Sequence, residues 1–200
     1  MSCTSGKPEA STAVDDMAES LSLPVPESGY QLVTPTSIVP AFTEKEICTV
    51  LRLNPKADER LYWVNSLESL VTEGTHHMNV HIGEFSFLDA FVGAGTSETA
   101  LGAPVGQYPC DELDTIELAY TIFPSQRDNQ RITLPEGVAA PMTAPLLLVF
   151  SHHYVNPTGK DIEIAAILNI ETIAAEQVTA VAGLIFDDIP DIALAPGAEQ

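Results

Sequence analysis

Short runs with alternating apolar residues, each cut by Pro, Gly, Asn or Asp, recur along this chain from Tyr30 onward, and their period of two limits the fold more than any other feature. A pleated strand points successive side chains to opposite faces, so such alternation builds half-buried strands; helical spacing is weak throughout. The runs are Tyr30 to Thr34, Glu46 to Leu53, Arg60 to Val71, Thr75 to Ile82, Thr115 to Phe123, Ile162 to Ile170 and Gln177 to Phe186. Glu46 to Leu53 sets Ile47, Thr49 and Leu51 against Cys48, Val50 and Arg52, and stops at the turn-forming pair Asn54-Pro55. Leu146 to Phe150 is apolar without a break, as in a strand buried on both faces. Gly93, Gly95, Gly102, Pro104 and Gly106 mark a loop, with Phe85 to Phe91 as a short apolar helix or turn within it. The pattern predicts an all-β chain, an antiparallel β-sandwich or jelly roll.

A chain of 200 residues, 45% of them hydrophobic, suits one domain or one domain with a tail. Residues 1–28, rich in Ser, Thr, Ala, Glu and Pro, read as a flexible tether, leaving 29–200 for the folded domain. With 28 acidic against 8 basic residues the net charge is −20, which repels phosphate backbones and excludes nucleic acid as a partner. No run of about 18 apolar residues exists, so no transmembrane helix is expected. The opening Met1-Ser2-Cys3-Thr4-Ser5-Gly6 is similar to the start of a mature bacterial lipoprotein, which makes Cys3 a candidate lipidation site; the plainer reading is a polar N-terminus with an incidental thiol.

All five histidines fall in two clusters, His76, His77 and His81 in one run and His152 and His153 at the end of another. Imidazole is the commonest ligand for borderline metals, and strand pairing that joined the clusters would offer three or four nitrogens to copper or zinc. Spacing alone does not choose the metal. A His pair on a strand is also commonly an ordinary packed or exposed pair.

The segment Glu73-Gly74-Thr75-His76-His77-Met78-Asn79-Val80 resembles the Thr/Val-His-His-Met strand of the ascorbate-dependent copper monooxygenases, the peptidylglycine and dopamine monooxygenases. Leu148-Val149-Phe150-Ser151-His152-His153-Tyr154-Val155-Asn156-Pro157 is similar to their apolar strand ending in His-Tyr-x-Asn-Pro, and Leu134-Pro135-Glu136-Gly137-Val138 to an element preceding it. The resemblance covers roughly Gly29 to Gly197 and points to the N-terminal, electron-transfer copper domain of that family. It implies copper held by His76, His77 and His153, with His153 chosen over His152. It also implies a disulfide between Cys48 and Cys110, since Tyr108-Pro109-Cys110-Asp111-Glu112 is similar to the family's aromatic-x-Cys-Asp-Glu segment. A second family disulfide would need Cys at Gly83 and Thr115, and both positions have changed together. A disulfide implies an oxidising compartment, hence a periplasmic, secreted or lipid-anchored envelope protein.

In that family the three-His copper accepts an electron from ascorbate and passes it to a second copper, held by two His and a Met in the following domain. This sequence runs to Ala193-Leu194-Ala195-Pro196-Gly197 with no His-x-His. The expectation is therefore one-electron transfer with a partner domain or redox protein, not monooxygenation by this chain alone. Three imidazoles without a thiolate accommodate both Cu(I) and Cu(II). Two other readings stay open: an envelope copper carrier or storage protein in which His81 and His152 add ligands, and a structural β-domain for protein binding. Met78, a soft thioether, is a further auxiliary candidate, although its place in the motif favours a role in the core or behind the ligands rather than on the metal. Tyr154 either orients His153 or packs. No Ser/His/Asp set or paired carboxylates stand out as catalytic.

Overall fold

The computed structural model describes residues 21–56, 59–83, 105–112 and 118–183. Cys3, the expected Phe85 to Phe91 element and most of the glycine-marked loop lie outside them. The described residues form β1 (Gly29–Val33), β2 (Ser37–Val39), β3 (Thr43–Leu53), β4 (Leu61–Val71), β5 (Thr75–Gly83), β6 (Gly106–Pro109), β7 (Leu118–Ser125), β8 (Asn129–Thr133), β9 (Val138–Thr143), β10 (Leu146–Asn156), β11 (Ile162–Ile164), β12 (Ala166–Ile173) and β13 (Ala180–Val181). The helical pieces among them are single 3-10 turns at Cys110–Glu112 and Ala175–Gln177.

Alternation does what the pattern predicts, and the fold is an all-β antiparallel sandwich. One sheet runs in the order β6-β3-β10-β5-β7; the other runs β1-β12-β4-β9-β13, with β8 also on β4. Among the described residues every pairing is antiparallel except β13 on β9. Leu53, Met78, Val80, Phe123, Leu148 and Phe150 from the first sheet meet Tyr62, Val64, Met142, Ala166, Leu168 and Ile170 from the second. This is the layered solution open to two sheets that each carry one apolar face.

Central strand β10 is buried on both faces from Leu146 to Phe150, as its unbroken apolar run requires. Its second face packs Leu147 and Val149 against Cys48, Val50, Tyr108 and Cys110. Cys48 and Cys110 form a disulfide across 62 residues of sequence, with their Cα atoms 4.9 Å apart, so the pairing implied by the resemblance is present. It fastens edge strand β6 and its following turn to β3, and it is compatible with an oxidising compartment.

Several expectations shift. Ile162 to Ile170 is not one strand: it breaks at Ala165, leaving β11 on β2 and β12 between β1 and β4. The Thr72 hydroxyl accepts from Ala165 N (3.1 Å) and the Thr34 hydroxyl from Ala166 N (2.8 Å), holding the chain where it passes between sheets. Of the expected Gln177 to Phe186 strand only Ala180–Val181 pairs, Gln177 lies in a 3-10 turn, and residues 184–186 lie outside the described region. Strands β2, β6, β8 and β9 have no counterpart among the expected runs. The tether assigned to 1–28 falls largely on residues outside the described region, but within it Leu23 and Pro24 carbonyls accept from Gln31 (3.0 Å) and Asn169 (2.8 Å).

Peptide mapping without reductant should recover Cys48 linked to Cys110, and reduction should lower stability by about 4 kcal/mol in the chain-entropy model. Two free thiols after oxidative expression, or an unchanged denaturation midpoint on reduction, would contradict this.

Candidate metal centre

Parity along β10 decides which of its two histidines can reach a surface site. Leu146, Leu148 and Phe150 point into the sandwich core, so His152 and Tyr154 point that way too, and His153 faces outward with Leu147, Val149 and Ser151. His153 lies opposite His77 of β5 on one side and Glu46 of β3 on the other.

The same logic applied to β5 sends Met78 and Val80 inward, both fully buried, and His77 outward. Strict alternation would then turn His76 inward, away from His77. It does not, because the β5–β10 ladder pairs His153 with His77 and Tyr154 with Thr75, leaving His76 as an extra residue. Such a β-bulge sets two residues against one on the partner and re-aims a side chain. The turn before it supports the distortion. Gly74 has φ of 93°, its carbonyl accepts from Val155 N (3.1 Å), and a Cβ there would stand 2.6 Å from the Ile162 side chain. The three rings then gather, with centroids 5.3 Å apart for His76 and His77, 5.1 Å for His76 and His153, and 5.0 Å for His77 and His153.

The Nδ1 atoms face one another: His76 to His77 is 3.1 Å, and His76 to His153 is 3.3 Å. Ligand nitrogens about 2.0–2.1 Å from a shared ion sit roughly 3.3 Å apart in tetrahedral geometry, so the spacing suits a first-row metal. Three imidazoles with no thiolate make a donor set that fits copper and also fits zinc. His76 is exposed while His77 and His153 are half-buried, so the cluster opens to solvent on the His76 side. Partial burial, followed by the His153 and His76 rings, pushes the His77 pKa below its ordinary value, with Glu46 pulling the other way. A neutral imidazole is the form that binds a metal.

The remaining candidates are placed elsewhere. His152 is 2% exposed, pairs with Met78, and has no hydrogen-bond partner at Nε2. Met78 is in the core, so neither joins the three outward rings. His81 faces outward further along β5, with its Nδ1 hydrogen bonded to the Thr121 hydroxyl at 3.0 Å. Burial lowers its pKa, against the pull of Glu46. Tyr154 packs with Val39 and Ile164. Sequence reasoning missed Glu44, whose Oε1 accepts from His153 Nε2 at 2.6 Å, and Glu46, whose Oε1 accepts from the Ser151 hydroxyl at 2.7 Å. Their relation to β10 follows only from the strand register.

No protein-family model matches the chain, and no match to it is found among curated proteins.

Burial first, then the nearby His77, pushes the His152 pKa down from 6.5 to about 3. The unfolded chain would take up that proton near pH 6.5 and the folded chain only near pH 3, so stability falls as pH drops through this window. The loss attributable to His152 between about pH 7 and pH 5 is about 2 kcal/mol, and His77 and His81, shifted in the same direction, add to it. Urea denaturation of the parent and of His152→Leu should show a shallower pH slope in the variant; parallel slopes would mean His152 is not held neutral.

Proposed function

We propose that this chain is a copper-binding domain that performs one-electron transfer, akin to the three-His copper domain of the ascorbate-dependent copper monooxygenases. The observation that carries the reading is the convergence of His76, His77 and His153 on one outward face, with Nδ1 atoms 3.1 and 3.3 Å apart. Those are the residues the two resembling motifs single out, and they come from strands that pair directly. Copper bound there supplies a one-electron couple between Cu(II) and Cu(I). The half-buried His77 and His153 anchor the centre, while His76 presents its exposed ring edge to an arriving small reductant such as ascorbate, or to a redox partner. The disulfide supports an extracytoplasmic location, periplasmic, secreted or lipid-anchored through Cys3. The exposure of His76 also suits copper carriage, because exchange onto an acceptor starts at the most accessible ligand.

Copper titration should give one ion per chain. His76→Ala, His77→Ala and His153→Ala should each lose more than about 100-fold in affinity, beyond the range for outer-shell changes. His81→Ala should bind like the parent. Equal affinity in His153→Ala and the parent removes the reading. Ascorbate should then bleach the Cu(II) EPR signal of the loaded chain, and air should restore it without hydroxylating a glycine-extended peptide or a phenethylamine. Tight binding without reduction by ascorbate points to carriage, and no tight binding leaves a structural β-domain.

A further inference from the structure

Two carboxylates of β3 face the outward side of β10, and they divide their work. Glu46 lies directly opposite His153 in the ladder, yet it reaches diagonally to accept from Ser151 Oγ at 2.7 Å. Glu44, opposite Val155, leans the same way by one step and accepts from His153 Nε2 at 2.6 Å. Diagonal cross-strand neighbours are within reach of long side chains, and the parallel lean of the two pairs fits one local twist of the ladder.

We infer that Glu44 is the positioning residue of the centre, holding His153 as the tautomer protonated at Nε2 so that the Nδ1 lone pair faces His76 and His77. An ionised carboxylate can only accept, so the ring nitrogen it touches must carry the hydrogen. The other nitrogen is then free to bind a cation, and it is the one 3.3 Å from His76 Nδ1. A carboxylate behind a ligating imidazole fixes the ring and raises the basicity of the nitrogen facing the metal. That added electron density favours the more highly charged oxidation state, so Glu44 also sets the balance between Cu(II) and Cu(I). Among the described residues, neither His76 nor His77 has a carboxylate hydrogen bond of this kind, and His153 does. The role in copper chemistry rests on the function proposed above; the tautomer does not.

The test uses the full chain with Glu44→Gln and Glu44→Ala, changes at a largely exposed side chain. Long-range proton–nitrogen NMR of the metal-free parent should show His153 protonated at Nε2, with that proton slowed in exchange. The protection should survive in Glu44→Gln, whose amide oxygen still accepts, and vanish in Glu44→Ala. With copper, both variants should lose about tenfold in Cu(II) affinity and less in Cu(I) affinity, raising the reduction potential, whereas a merely structural role would weaken both ions alike. A parent protonated at His153 Nδ1, or a Glu44→Ala chain with unchanged exchange protection and an unchanged Cu(II) to Cu(I) affinity ratio, overturns the assignment. Should the parent bind no copper, the functional reading falls, while the metal-free NMR comparison still decides what Glu44 does.

Discussion

β10 is hydrogen bonded to β3 along one edge and to β5 along the other, so it cannot slide by a residue without breaking two ladders at once. A one-residue slip would also exchange its faces, sending Phe150 outward and His153 into the core. Because the strand is buried on both sides of its apolar half, that exchange is opposed by packing as well as by hydrogen bonds. Its polar end inherits the same register. His153 is aimed by Leu148, Phe150 and Val149 as much as by anything near it, and the core thereby sets the direction of a surface side chain.

Electrostatics near the rings follows from that placement. The chain is strongly acidic, yet the centre is made of imidazoles that partial burial and mutual proximity favour as neutral at His77. Among the described residues, Glu44 meets His153 from behind, while Glu46 is held by Ser151 beside the cluster. Negative charge thus lies beside the imidazole cluster, at the far nitrogen of His153. His152, one residue away, is in the opposite situation, sealed in the core beside Met78 with an unpartnered nitrogen.

Much of this is legible in the amino-acid sequence. Alternation places β3, β4 and β5 within a residue or two of their ends, apart from the first residues of β3, and the unbroken Leu146 to Phe150 run marks the doubly buried strand. The resemblance singles out His76, His77, His153 and the Cys48–Cys110 pair, all of which the structure brings together in space. What escapes depends on tertiary context. Nothing in Thr75-His76-His77-Met78 announces a bulge, since the register of the partner strand creates it. The break at Ala165 is invisible because Ile162, Ile164, Ala166, Leu168 and Ile170 keep one period while the backbone changes sheets under the hold of Thr72 and Thr34. Strand β8 is too polar to signal itself, and β9 carries Pro141, which argues against a strand in isolation. Glu44 acts on a residue 109 positions away, a relation no local pattern encodes.

The bulge at His76 bears on how such a centre can arise. An extra residue in a strand normally throws every later side chain onto the wrong face, and here the phase from His77 to Ile82 is intact because the irregularity absorbs the surplus. A single-codon insertion into a regular inner strand would therefore add a second adjacent imidazole while Met78 and Val80 keep their places in the core. Loss of that codon would return the ladder to a straight one and remove one nitrogen. Gain and loss of the three-His cluster are thereby separated from the fold that carries it, since the smallest insertion or deletion a gene can undergo in frame would make or unmake the cluster and leave the sandwich standing.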